Sequence, residues 1–263
     1  MLRKHIFRDK AKIDSIRWRL HEPTRLEAFS DAVIAFAITL VAISLEVPRT
    51  FEALSIMMKG FYAFGICFLF LVLIWHEQYR FFRRFGLQDT RTTALNLMLL
   101  FMVIYLVYPL KFLFTFLTRG NDEILENGEV VHKFTSNIQI CELMIIYGVG
   151  YFIIYILLIA MYSHALKRKD DILLSRLEVY NTRTYIYSYL GCLGIVLLSL
   201  SLAVIGLYSD NGIFGAFSGM SYGLTGIVLR LIRGPRKRKI TKLFRKEEIE
   251  ELKNEVVVVE EKE

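Results

Sequence analysis

Five stretches of this sequence, 54–75, 92–110, 143–165, 184–209 and 211–229, are almost wholly apolar, with Lys59 their one formally charged residue. A helix rises about 1.5 Å per residue and a bilayer's hydrocarbon core is about 30 Å thick, so each stretch is long enough to cross it. Backbone amides in hydrocarbon must be satisfied within the segment, which makes helices the expected form. A sixth candidate, 26–47, is less uniform, because its purely apolar part runs only from Ala32 to Leu45. Composition agrees: 54% of residues are apolar, against about 45–50% in a soluble globular chain. The expected fold class is an all-α integral membrane protein with six transmembrane helices.

Charge placement orients the bundle. The net charge of +7 would suggest nucleic acid as a partner in a soluble protein, but its distribution argues against that. On alternate sides of the six spans, 28 of the 33 Lys and Arg residues fall on one side, in residues 1–25, 78–91, 164–183 and from Arg230 onward. The positive-inside rule then puts both termini in the cytoplasm. The chain divides into a cytoplasmic amphipathic segment 1–24, a transmembrane domain 25–232 and a charged cytoplasmic tail 233–263. Residues 2–20 interleave Ile6, Ile13, Ile16 and Trp18 with basic residues, and the tail opens on a basic run at 235–239. Both read as contacts for anionic lipid head groups. The connection at 117–137 is polar and acidic, suiting an outward loop, and the turn at Asp210, Asn211 and Gly212 makes the last two spans antiparallel neighbours. Cys67, Cys141 and Cys192 lie apart in apolar runs, as packing residues do. The first 24 residues lack the apolar core and cleavage site of a removable signal peptide.

Ionisable groups within a span cost at least about 2.5–3.5 kcal/mol near the centre, so each needs a partner or a wet cavity. Asp31 lies six residues beyond Arg25, about 9 Å along a helix, inside the cytoplasmic edge of span one. At the same depth span two ends on Trp75, His76 and Glu77, and span three starts near Asn96. Arg25, Asp31, Trp75, His76 and Asn96 are therefore candidates for a network tying three helices together, while Glu77 reads as interfacial and solvated. Span one also carries small residues at heptad-like spacing, Ala28, Ala32, Ala35, Thr39 and Ala42, then Glu46, with Phe36 and Ile43 on the flank. That stripe reads first as close helix packing, with the lining of a pore assembled from several copies as the alternative that periodicity does not exclude. Gly215, Gly219 and Gly223 in span six read as packing.

Several conventional functions lack their motifs. His76-Glu77-Gln78-Tyr79-Arg80 has no second histidine for a zinc peptidase, and no phosphate-binding glycine loop occurs. The chain is expected to be no enzyme and to hold no cofactor or resident metal. Nothing matches the TVGYG filter of ordinary potassium channels.

The opening of span one, Arg25-Leu26-Glu27-Ala28-Phe29-Ser30-Asp31, resembles the RxxxFSD signature of the lysosomal potassium channel family in its prokaryotic branch. Six spans with cytoplasmic ends, Trp75 and His76 closing span two, and Asn96 and Pro109 in span three agree with it. The resemblance covers about residues 20–232. It implies a potassium-selective channel without a carbonyl filter, a homotetramer in a prokaryotic plasma (inner) membrane, with the first helix of each subunit lining a central pore and K+ as the permeant ion. Carried onto this sequence, Phe36 falls at the constriction, where many relatives have Ile or Leu, and Thr39 supplies a pore-facing hydroxyl. Ile43 is the next ring and Ala35 lies beside them, while Arg25, Phe29, Ser30 and Asp31 are structural. The competing readings are a secondary transporter or proton-coupled carrier using Asp31 and His76 as relay groups, and a membrane enzyme or scaffold without flux.

Overall fold

The computed structural model describes residues 23–43, 50–119, 122–124, 130–132, 134, 136 and 138–236. Expectations for the amphipathic segment, the tail beyond 236 and Glu46 lie outside these residues, as do the side chains of Ala42, Ile43 and Lys59. In chain order the helices are α1 (Arg25–Ile43), α2 (Phe51–Phe85), α3 (Thr90–Arg119), α4 (Ile138–Lys167), α5 (Arg176–Tyr208) and α6 (Ile213–Ser221). A last helical run, α7, covers 224–236. Two three-residue strands, β1 (Asp122–Ile124) and β2 (Val130–His132), pair antiparallel between α3 and α4. Among the described residues, Thr90–Phe116, Ile138–Lys167 and Arg176–Tyr208 are long and apolar enough to cross a membrane. The 19 residues of α1 extend about 28 Å.

Local chemistry sets the helix ends. Thr24 accepts a hydrogen bond from the Glu27 amide at 3.2 Å and so caps α1. At the start of α5, Ser175 and Glu178 form a reciprocal capping box, with bonds of 3.2 and 2.9 Å. Gly86, at φ 61°, closes α2 by donating its amide to the Phe82 carbonyl at 2.8 Å. Asp210 takes φ 51° in the turn that reverses the chain between α5 and α6.

Helix α1 packs on α2 and α3, α3 packs on α4, and α4, α5 and α6 pack on one another. Helices in lipid gain little from apolar burial as such, so close packing must hold them. A Cβ on Gly215 would lie 3.0 Å from Cys141 Sγ, so the absent side chain lets α6 approach α4. Gly219 faces Met144 on the same helix.

Two expectations change. Span six is not one continuous helix, because Tyr222 and Gly223 form a turn between α6 and α7. Gly223 therefore marks the break rather than a third packing position. Span two continues ten residues past 75, since 76–85 carries its own apolar face. Phe81 and Phe85 on that face are buried against Tyr162, with ring centroids 5.4 and 5.6 Å from the tyrosine, and the buried Phe82 packs edge-on against Phe81.

Candidate functional site

The two sides of α1 meet different surroundings. Glu27, Ser30, Ile34, Ala37 and Val41, spaced by three and four residues, are buried. Ala28, Phe29, Ala32, Ala35, Phe36 and Thr39 are exposed, Phe36 at 58%. The small-residue stripe thus points away from its own α2 and α3. The Thr39 hydroxyl donates to the Ala35 carbonyl at 2.8 Å, which turns its oxygen lone pairs outward from the helix. Ile43 is the final residue of α1.

At the N-terminal end of this helix, two sets of hydrogen bonds tie it to its neighbours. Trp75 Nε1 of α2 donates to Asp31 Oδ1 at 2.7 Å. Deeper in, Asn96 Nδ2 of α3 donates to Ser30 Oγ at 2.9 Å, and Ser30 donates onward to the Leu26 carbonyl at 2.8 Å. Gln78 Nε2 of α2 donates to Asn96 Oδ1. Asn96, Gln78 and Ser30 are all buried, so one side chain, Asn96, joins all three helices.

Other candidates fall elsewhere. His76 is exposed and stacks on Tyr79, with no hydrogen bond to Asp31 among the described residues. Trp75 and His76 are adjacent in a helix and so point about 100° apart; with the tryptophan turned to α1, the histidine cannot follow. Arg25 is exposed at the first position of α1. Glu77 is not a solvated group: it pairs with Arg80 at 2.6 Å and accepts from Tyr189 Oη at 2.8 Å. Sequence reasoning also missed Gln78, which lies in the polar run His76-Glu77-Gln78-Tyr79-Arg80, and Lys111, which donates to the Val41 carbonyl near the end of α1 at 3.3 Å. Asp89, in the α2–α3 turn, meets His164 of α4 at 2.8 Å and accepts from Thr92 at 2.6 Å. Burial alone would raise this carboxyl, but those two bonds and the histidine hold it below its usual 3.8.

Gly219-Met220-Ser221-Tyr222-Gly223 has the GxSxG spacing of hydrolases, yet Ser221 ends a helix and donates to the Ser218 carbonyl at 2.6 Å, without the strand that a nucleophile elbow requires. Among the described residues no group of three His, Cys, Asp or Glu side chains is placed to hold a metal ion.

Comparison with known proteins gives a consistent set of relatives. Residues 25–107 match the family model described as endosomal/lysosomal potassium channel TMEM175. A potassium channel of Marivirga tractuosa is 39% identical over 196 residues, 72% of this chain and 77% of that one. A potassium channel of Streptomyces collinus is 30% identical over 104 residues, 37% of this chain and 50% of that one. The crystal structure of a Thr→Ala variant of the potassium channel MtTMEM175, in complex with a Nanobody-MBP fusion protein, superposes with a TM-score of 0.72 at 35% identity, covering 85% of this chain and 97% of that one.

Proposed function

The chain belongs to the TMEM175 family of endosomal/lysosomal potassium channels, and on that premise we propose that it conducts K+ through a pore lined by α1 of four copies. It is a potassium channel of an integral membrane type, with K+ as its transported ion, and not an enzyme. The exposed face of α1 carries the proposal for the pore. An isolated subunit gains nothing from presenting Ala28, Ala32, Ala35 and Thr39 to lipid, whereas small residues let helices of neighbouring copies approach closely around an axis.

In this arrangement four Phe36 side chains form the narrowest apolar ring. Such a ring disfavours water and a hydrated ion alike, and it closes the pore by dewetting until the aromatic groups move apart. Thr39 lies three residues farther along, about 4.5 Å on the helix axis. Its hydroxyl proton is engaged by Ala35, so the oxygen faces the axis as an acceptor and replaces part of the ion's water shell. Potassium, which sheds water at lower cost than sodium, benefits more. Ile43 extends the apolar lining. Ser30 and Asp31, with Trp75 and Asn96, hold the cytoplasmic end of α1 at a fixed angle. Both termini lie in the cytoplasm of a prokaryotic cell, with the plasma membrane around the spans and anionic head groups at the basic end segments.

Single-channel recording from purified protein in liposomes tests the pore. Phe36→Ala raises basal K+ current several-fold, and Thr39→Val lowers the K+ to Na+ permeability ratio about fivefold, the equivalent of about 1 kcal/mol for one lost oxygen contact. Unchanged conductance and selectivity in both variants refute this pore face.

A further inference from the structure

Four arginines gather where α2, α5 and α7 leave the membrane on the basic side. Three of them, Arg80, Arg84 and Arg233, place their guanidinium carbons 5.6, 4.7 and 5.1 Å from the centroid of one ring, Tyr185. Arg80 and Arg84 also donate to its hydroxyl at 3.0 and 3.2 Å. The fourth, Arg236, lies 4.3 Å from the Tyr187 ring centroid and 3.4 Å from Thr184 Oγ1. Glu77 neutralises Arg80. Arg233 bonds only the Ser188 hydroxyl, at 3.2 Å, and neither it nor Arg236 meets a carboxylate among the described residues. Arg80 Nε is buried without an acceptor. Arg233 and Arg236 add positive charge here that repels unless an anion lies beside them, and stacking on tyrosine does not supply one.

We propose that this cluster binds the phosphate of an anionic phospholipid head group in the cytoplasmic leaflet, clamping α7 to α2 and α5. Planar guanidiniums match phosphate oxygens in pairs. The depth fits: Arg80 and Arg84 lie five and nine residues past the apolar part of α2, about 8 and 13 Å along its axis, at head-group level. Tyr185 and Tyr187 sit at the start of the apolar part of α5, where interfacial aromatic residues concentrate. The proposal rests on the membrane orientation given above, but not on the pore.

Titration of the purified full-length chain in neutral detergent tests it, by thermal unfolding and native mass spectrometry. The probes are phosphatidylglycerol, phosphatidylcholine and inorganic phosphate. Phosphatidylglycerol is expected to raise the unfolding midpoint saturably and phosphatidylcholine to leave it unchanged. Each arginine removed weakens apparent binding about fivefold, so R233Q/R236Q loses roughly 25-fold. R233K/R236K, which keeps the charge and guards against a folding defect, loses less than R233Q/R236Q. Arg230, exposed on α7 outside the cluster, serves as control, and R230Q stays within about twofold of wild type. A full effect from millimolar phosphate supports the site and assigns it to free phosphate instead of lipid. Equal affinities for wild type and R233Q/R236Q, or an equal loss in R230Q, overturn the proposal. K+ flux measured on the same preparation reports on the channel independently, since its absence leaves the lipid titration intact.

Discussion

Replacing Asn96 should damage this protein more than replacing Trp75, although the tryptophan holds the charged partner. Asn96 is fully buried and serves two bonds, one to Ser30 and one from Gln78. Asn96→Ala strands the Gln78 amide, whose Oε1 already lacks a partner, in a site 2% exposed. An orphaned buried amide costs about 1–3 kcal/mol, and the emptied volume adds about 1 kcal/mol, for a total of about 2–4 kcal/mol. Trp75→Phe removes one bond to a carboxylate that is exposed and screened, which costs about 1 kcal/mol. Unfolding equilibria in detergent, with the Ser30→Ala and Asn96→Ala double-mutant cycle, give both numbers. The cycle should show a coupling of at least about 0.5 kcal/mol. If Trp75→Phe proves the costlier change, or Ser30 and Asn96 do not couple, the buried network is not what fixes α1.

Two further outcomes follow from contacts outside α1. The Asp89 carboxyl lies below its ordinary 3.8 in the folded chain, so its stabilising contribution is complete above that value and disappears as pH falls through the lowered one. Asp89→Asn therefore lowers stability by about 1–2 kcal/mol at pH 7 and flattens the acid limb of a stability profile measured from pH 6 to pH 2. A parallel profile for the variant counts against this role. Gly215→Val drives two methyl groups into Cys141 and separates α6 from α4, costing about 1–3 kcal/mol in a thermal melt, whereas a change at exposed Gly226, with nothing near its Cβ position, is nearly neutral.

Much of the fold was readable because hydrocarbon imposes one rule on every span. Helix positions followed from length and apolarity alone, and both Thr24-x-x-Glu27 and Ser175-x-x-Glu178 carry cap spacings that mark helix starts. The break at Tyr222 and Gly223 was not readable, since glycine at four-residue spacing serves packing and turns equally well. Within the candidate site, Asp31, Trp75 and Asn96 stood out as polar groups at one depth, whereas Ser30 was marked only by the family resemblance. Depth says nothing of azimuth, however, and azimuth is what separates Trp75 from His76 and puts Glu77 beside Arg80. Gln78 was missed for the same reason: its partner lies on another helix, 18 residues away in sequence.

The two faces of α1 show why periodicity alone could not choose between packing and pore. Glu27, Ser30, Ile34, Ala37 and Val41 repeat with the same heptad rhythm as Ala28, Ala32, Ala35 and Thr39, so each row satisfies the test for a helix contact. Chemistry separates them. The first row carries Ser30, which meets Asn96 within the chain, and the second finds no such partner on α2 or α3 among the described residues. If the second row meets other copies, cysteines placed there should join subunits, because a disulfide requires Cα atoms about 4.4–6.8 Å apart. Cys67, Cys141 and Cys192 are buried and leave the background low. Under mild oxidation in membranes, Ala35→Cys is expected to yield covalent dimers, and Ala37→Cys, fully buried against its own chain, to remain monomeric on a denaturing gel. Dimers from Ala37→Cys with none from Ala35→Cys would turn the helix around, and Phe36 and Thr39 would no longer face a pore.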